Sequence, residues 1–295
     1  MSERRVAFDH TDPGLRPFIE VQAKVSMSIL DEAKDDGRGA EQTVAELCET
    51  CHGFSEEGAR EVTARVEPGR RLPIACEPGC DYCCYGTVFA SSAEILHLAA
   101  FIARDPELAR AVGERAAAAA HKVAGLSIDE RAGARVPCPV LADGACSAYE
   151  ARPLSCRAYH SCDRGLCERA FQEADARPVL PIVPTMFHIP HAHGFGMMAG
   201  LQSAGLDVGP YDLASALPVA LADPAGTAER WLAGEAVFAH STSSESAREG
   251  YASTLDALVK DLQTGQLDTA EKLMRRLDPD TRRRERNKRK AKKRR

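Results

Sequence analysis

Four cysteines fall within nine residues, Cys76-Glu77-Pro78-Gly79-Cys80-Asp81-Tyr82-Cys83-Cys84. A second group follows: Cys138-Pro139, Gly144-Ala145-Cys146, Tyr149, Arg152-Pro153 and Cys156-Arg157. A cysteine binds a soft metal as its thiolate, and spacings of two to four residues let neighbouring thiolates reach one ion. Pro78 and Gly79 supply the tight turn that a backbone needs to wrap a metal. The candidate ligands are therefore Cys76, Cys80, Cys83, Cys84, Cys138, Cys146 and Cys156. Seven thiols exceed the four of one tetrahedral site. Adjacent Cys83 and Cys84 project in different directions, so both rarely serve one ion. Two metals, one iron–sulfur cluster with spare thiols, or a partly structural set remain open. The surplus of thiols, the lack of histidine within these two motifs and the Cys76-x3-Cys80-x2-Cys83 spacing favour an iron–sulfur cluster, whose three corners such a run can cover. Zinc, which also takes four cysteines, is the alternative.

These motifs resemble the YkgJ-type CxxCxxCC cysteine-cluster family, a zinc- or iron-chelating domain. Its marks are the cysteine knot, then CP-x-L (here Cys138-Pro139-Val140-Leu141), then G-x-C-x-x-Y-x-x-RP-x-x-CR (here Gly144 to Arg157). The resemblance covers about residues 74–172. It implies metal binding without a settled reaction. The family includes flagellin lysine methylases, so a cluster-dependent methyl transfer to a protein substrate is the enzymatic alternative. No glycine-rich nucleotide loop supports it. The Cys76-x3-Cys80-x2-Cys83 run also has the form of a radical S-adenosylmethionine motif, but the alternating strands and helices of those enzymes are missing.

Other residues carry weaker signals. Cys48-Glu49-Thr50-Cys51-His52 matches the c-type haem motif. That chemistry needs export, and buried apolar cysteines are the simpler reading. Cys162 and Cys167 lie outside the family pattern and read equally as extra ligands or buried thiols; Cys167→Ser is expected to spare the metal. His188, His191 and His193 form H-x-x-H-x-H in a Pro-rich stretch, 176–194, which reads as a loop and not one helix. His97 and His121 are lone helical histidines. Arg152 and Arg157 flank Cys156 and would offset the charge of about −2 on a four-thiolate zinc site; surface ion pairing is the plainer role.

The surrounding pattern is helical. Apolar periodicity predicts helices over 17–35 and 40–66. Ser91 or Ser92 with Glu94 opens another, and Asp105-Pro106 the next. Val88-Phe89 reads as extended. Asp143-Gly144 marks a hairpin between Val136 and Tyr149. A three-residue loop, Ala142 to Gly144, would pair Leu141 with Ala145 and put Cys138 and Cys146 on one face. Pro153 opens a short helix bearing Cys156, and 168–175 is amphipathic. Helices follow at 196–206, 214–221 and from Pro224, with Trp231 and Leu232 in the core. The fold class is mainly α, with an irregular cysteine-rich centre and one short β-hairpin. A helical segment, 1–72, precedes the cysteine domain, 73–240. A helical hairpin, 247–277, and a basic disordered tail, 278–295, follow.

The chain has 295 residues and a formal net charge of −5. Residues 281–295 contain eleven Lys/Arg and one Glu, +10, leaving −15 for the rest. Such a tail suits RNA, the ribosome or another acidic partner through phosphate contacts, though without interleaved aromatics it reads no sequence. No apolar run is long enough for a membrane span, and the first residues lack an apolar signal core. A cytosolic location is expected, where eleven cysteines read as ligands before disulfides. No paired carboxylates, P-loop or Ser/His/Asp set marks a catalytic residue.

Overall fold

The structure, a computed structural model, describes residues 8, 9, 12–77, 79–173, 180–241 and 245–264. Two long helices open it, α1 (Arg16–Asp36) and α2 (Ala40–Ala64). Gly37 separates them at φ 63, a left-handed conformation open to glycine, and its N–H caps the α1 carbonyls of Ala33 and Lys34. Each helix buries one stripe: Ile19, Ala23 and Leu30 on α1, and Val44, Leu47, Cys48 and Cys51 on α2.

Helix α3 (Ser92–Ala103) starts with a complete capping box between Ser91 and Glu94. Helix α4 (Pro106–Val123) starts with Asp105 as cap and Pro106 in the first turn. After α5 (Ile128–Ala134) the chain forms the hairpin β2 (Leu141–Ala142) and β3 (Ala145–Cys146), then α6 (Leu154–Arg157) and α7 (Arg164–Gln172). Next come α8 (Pro184–Ser203), α9 (Leu213–Ala222), α10 (Pro224–Leu232) and α11 (Glu245–Gln263). A second strand pair joins β1 (Phe89–Ala90) to β4 (Tyr211–Asp212), antiparallel. The sequence showed the first of these strands but not its distant partner. The fold is mainly helical, as expected.

Helix α8 is the hub, packed by α1, α2, α6 and α11. It is apolar on nearly every side, which suits a helix enclosed by others. Gly196 and Gly200 let its backbone meet that of α1. A Cβ there would lie 2.4 Å from Ile19 O and 2.5 Å from Ala23 O. The loop expected across the three histidines is corrected, because His188, His191 and His193 all lie on α8. Pro184 occupies its first turn, where no N–H is needed. Pro190 forfeits one interior hydrogen bond, and burial of Ile189, Ala192, Phe195 and Met197 around it outweighs that loss. Helices α3, α4, α9 and α10 build the adjoining layer. There Trp231 is fully buried and donates from Nε1 to Asp207 O at 2.7 Å. Of the helical hairpin expected over 247–277, α11 supplies the first arm; residues 265–277 and the basic tail lie outside the described residues. Among the described residues, no helix is long and apolar enough to cross a membrane.

Candidate metal centre

The first cysteine motif enters through residues 71–77, which form neither helix nor strand. Ala75 N donates to Ser161 O at 2.9 Å, and the Cys76 thiol points at the same carbonyl, 3.9 Å away. Cys80 N closes a turn onto Glu77 O at 3.0 Å, with Gly79 at φ 85. A 3-10 turn, Tyr82–Tyr85, then carries Cys83 and Cys84.

The second motif is fastened to the first through backbone. Cys138 N donates to Cys84 O at 2.7 Å. Arg115 of α4 holds the neighbouring Pro139 carbonyl at 2.7 Å. The β2–β3 register pairs Leu141 with Cys146 and Ala142 with Ala145. The loop therefore has two residues, Asp143 (φ 50) and Gly144 (φ 75), the paired left-handed geometry of a type I′ turn. This corrects the expected three-residue loop. The facing argument behind that expectation assumed a strand running back to Cys138. Instead Leu141 N bonds Cys138 O at 2.9 Å, so the chain turns between them and strand parity no longer relates the two cysteines. Even so, Cys138 and Cys146 lie within each other's electrostatic reach.

Cys156 sits on α6, whose start is fixed by a contact absent from the motifs. Glu94, buried on α3, accepts from Ser91 N at 2.9 Å and from Leu154 N at 2.6 Å. The capping box that starts one helix thus also anchors the other.

Cys76, Cys80, Cys138, Cys146 and Cys156 all lie within the electrostatic reach of Cys83. A charge on Cys83 would raise the proton affinity of Cys76, Cys80, Cys138, Cys146 and Cys156. A sulfur–sulfur hydrogen bond to Cys84 holds the Cys83 thiol protonated, and desolvation adds to this. Burial pushes Cys138 up to about 12, and Cys156 is also raised, by burial first and the other thiols next. Desolvation raises Cys76, Cys80 and Cys146 as well. All eleven cysteines are free thiols. The raised thiols, Cys76, Cys80, Cys83, Cys138, Cys146 and Cys156, are protonated near neutrality, and a metal would have to displace those protons. Among the described residues, no three His, Cys, Asp or Glu side chains already surround a common point that could hold an ion. The donor chemistry fits a soft metal: thiols of both motifs lie within the electrostatic reach of Cys83, and the field of Arg152 stabilises the thiolate of Cys146. Beside Cys138 a cavity of about 30 Å³ between Arg131, Asp212 and Val88 offers room for roughly one water, not for a substrate.

The two arginines differ. Arg152 stacks over Tyr149, 3.6 Å from its ring centre, within the fields of Cys146 and Cys156. Arg157 is buried, paired with Glu56 of α2, and donates to Arg152 O at 2.9 Å and to Glu150 O. It serves the α2–α6 contact through a buried guanidinium, which departs from the surface ion pairing considered for it.

Other sequence candidates separate from the centre. Cys48 and Cys51 are fully buried in α2, near His52 and Glu94. The α8 histidines do not converge: His191 Nδ1 contacts Phe187 O at 2.8 Å, while His193 Nδ1 lies 3.2 Å from Gln22 Oε1 in the core. Cys162 contacts Pro181 O at 3.0 Å. Cys167 is the surprise, since its field reaches Cys76 and Cys80. Comparison with protein-family models, curated proteins and solved structures gives no match.

Proposed function

We propose that this chain is a thiolate metalloprotein of the YkgJ-type cysteine-cluster kind. In this reading Cys76, Cys80, Cys83, Cys84, Cys138, Cys146 and Cys156 supply the donors for an iron–sulfur cluster or for zinc. One observation carries it: Cys138 N bonds Cys84 O at 2.7 Å, which ties the two motifs together, with thiols of both motifs in the electrostatic reach of Cys83. Two cysteine groups that are remote in sequence are thereby brought to one place. A cluster would supply electron transfer, and zinc a four-thiolate staple. The chain's own residues prepare the donors. Glu94 fixes the helix under Cys156, Arg115 fixes the turn after Cys138, and Arg152 offsets thiolate charge.

Anaerobic purification with metal and sulfide analysis tests the reading. Iron with sulfide and a brown absorption that dithionite bleaches is the expected result. Pairing Cys80→Ser with Cys156→Ser should remove the bound metal while leaving the helical circular-dichroism signal. Stoichiometric zinc in colourless, sulfide-free protein would replace the cluster with structural zinc. A chain with native helicity that binds neither metal would end the proposal.

A further inference from the structure

The approach to the first cysteine motif is held at both ends and open along its length. At its start Arg71 is extended (φ −72, ψ 125) and donates to Val66 O at 2.9 Å and Ala64 O at 2.7 Å, closing the end of α2. Near its other end Ala75 N donates to Ser161 O. Ser161 also bridges Ile182, antiparallel, through bonds of its two neighbours to Pro181 and Val183. Its own carbonyl therefore faces away from Ile182, and residues 71–76 lie as the outer edge of a small ladder. Pro73 confines Leu72 before it to extended geometry. With Ala75 N turned inward, the N–H groups of Ile74 and Leu72 turn outward along such a run. Among the described residues, no backbone acceptor takes either of them. Pro73, which has no N–H, falls on the inward positions, so the outward donors are complete. Leu72 and Ile74 are 49% and 48% exposed, and among the described residues only Tyr149 is a more exposed large apolar side chain. An open edge of this kind is a template for another strand.

We propose that this edge is the contact of a homodimer, in which residues 71–76 of one copy pair antiparallel with the same residues of a second copy about a two-fold axis at Pro73. In that register Leu72 of one copy lies opposite Ile74 of the other, and each pair exchanges backbone hydrogen bonds. The two prolines meet at the position between them, where an antiparallel ladder makes no hydrogen bond. Leu72 and Ile74 of both copies then share one face and cover each other. Charge selects a second copy over another extended chain. The segment is flanked by Arg70 at one end and by Glu77 at the other. Arg70 keeps only a long contact, 3.9 Å, to Glu67, with both side chains about 80% exposed. Glu77 pairs with Arg164 of α7 and stays exposed at 59%. Antiparallel self-pairing lays each Arg70 beside the Glu77 of the other copy, at both ends at once. A uniformly acidic peptide would meet Glu67 and Glu77, and a basic one would meet Arg70. Two strands this short bury less than the ~1,200 Å² of a stable interface, so the dimer is weak and forms reversibly with concentration.

Sedimentation velocity of the reduced, full-length chain from low micromolar to submillimolar concentration tests this. The native chain should pass from monomer to dimer, and Ile74→Lys, a change at an exposed position, should stay monomeric at native helicity. Arg70→Glu and Glu77→Arg each set like charges opposite one another and should each weaken self-association roughly tenfold or more. An equimolar mixture of those two variants should dimerise again, because each chain then offers the charge the other lacks. Hydrogen exchange over residues 71–76 should slow as the native chain is concentrated. A native chain that stays monomeric throughout would overturn the proposal, as would protection of these amides only when a glutamate-rich peptide is added. So would a dimer that survives Ile74→Lys with exchange at Leu72 and Ile74 unchanged, since its interface lies elsewhere.

Discussion

At the scale of single residues, protonation governs behaviour. Cys76, Cys80, Cys83, Cys138, Cys146 and Cys156 are held above their ordinary proton affinity, so metal uptake releases protons and weakens steeply as pH falls. A pH series of zinc competition with a chelator should show this, and an affinity independent of pH would contradict it. Burial affects the core histidines in the opposite sense. It lowers His52 to about 2, and His97 and His193 to about 4. Unfolded histidine titrates near ~6.5, so the folded chain binds fewer protons than the unfolded chain below that pH. Stability from these residues is complete above ~6.5 and is lost as pH falls towards about 4. Thermal midpoints measured across this window should drop, and His193→Gln should flatten the drop. Cys51→Ser places a hydroxyl in an apolar site and should cost about 1–3 kcal/mol without changing metal content. Metal loss in that variant at unchanged helicity would move Cys51 into the centre.

At the scale of elements, α8 against α1 gives the sharpest test. Gly196→Val would push a side chain into the Ile19 carbonyl and should cost roughly 3 kcal/mol or more, lowering the denaturant midpoint sharply. Gly53→Val, where a Cβ meets nothing within 4 Å, is the helix-surface comparison and should change stability far less. The sequence made these helices legible where the signal was local. The Ser91–Glu94 box and the Pro106 start were read from adjacent residues, because capping acts within one turn. What depends on distant partners was hidden. Pro190 looked like a breaker because nothing local reveals how completely α8 is enclosed. The β2–β3 register was misjudged because a turn after Cys138 uncouples it from strand parity. The two cysteine motifs were legible from their spacing alone. Their support was not, since Glu94 under Leu154 and α7 on the knot are contacts between elements far apart in the chain.

At the scale of the whole molecule, an acidic body carries a basic end. Deleting residues 281–295 should leave bound metal unchanged and weaken RNA association, most visibly at low salt, where phosphate contacts count most. Filter binding across a salt series, with metal analysis on the same samples, would check both halves. Equal RNA binding with and without the tail would dissociate it from that role. Helix α8 has a consequence of another kind, one of timing on the ribosome. Helices α1 and α2 are made before α8, and the surface that covers them ends at Ser203. At ~5–20 residues per second, the pair, complete at Ala64, stays uncovered for on the order of 7–28 seconds. During that interval the nascent chain presents a helical pair without its lid, open to any chaperone or neighbouring chain that can bind an amphipathic face.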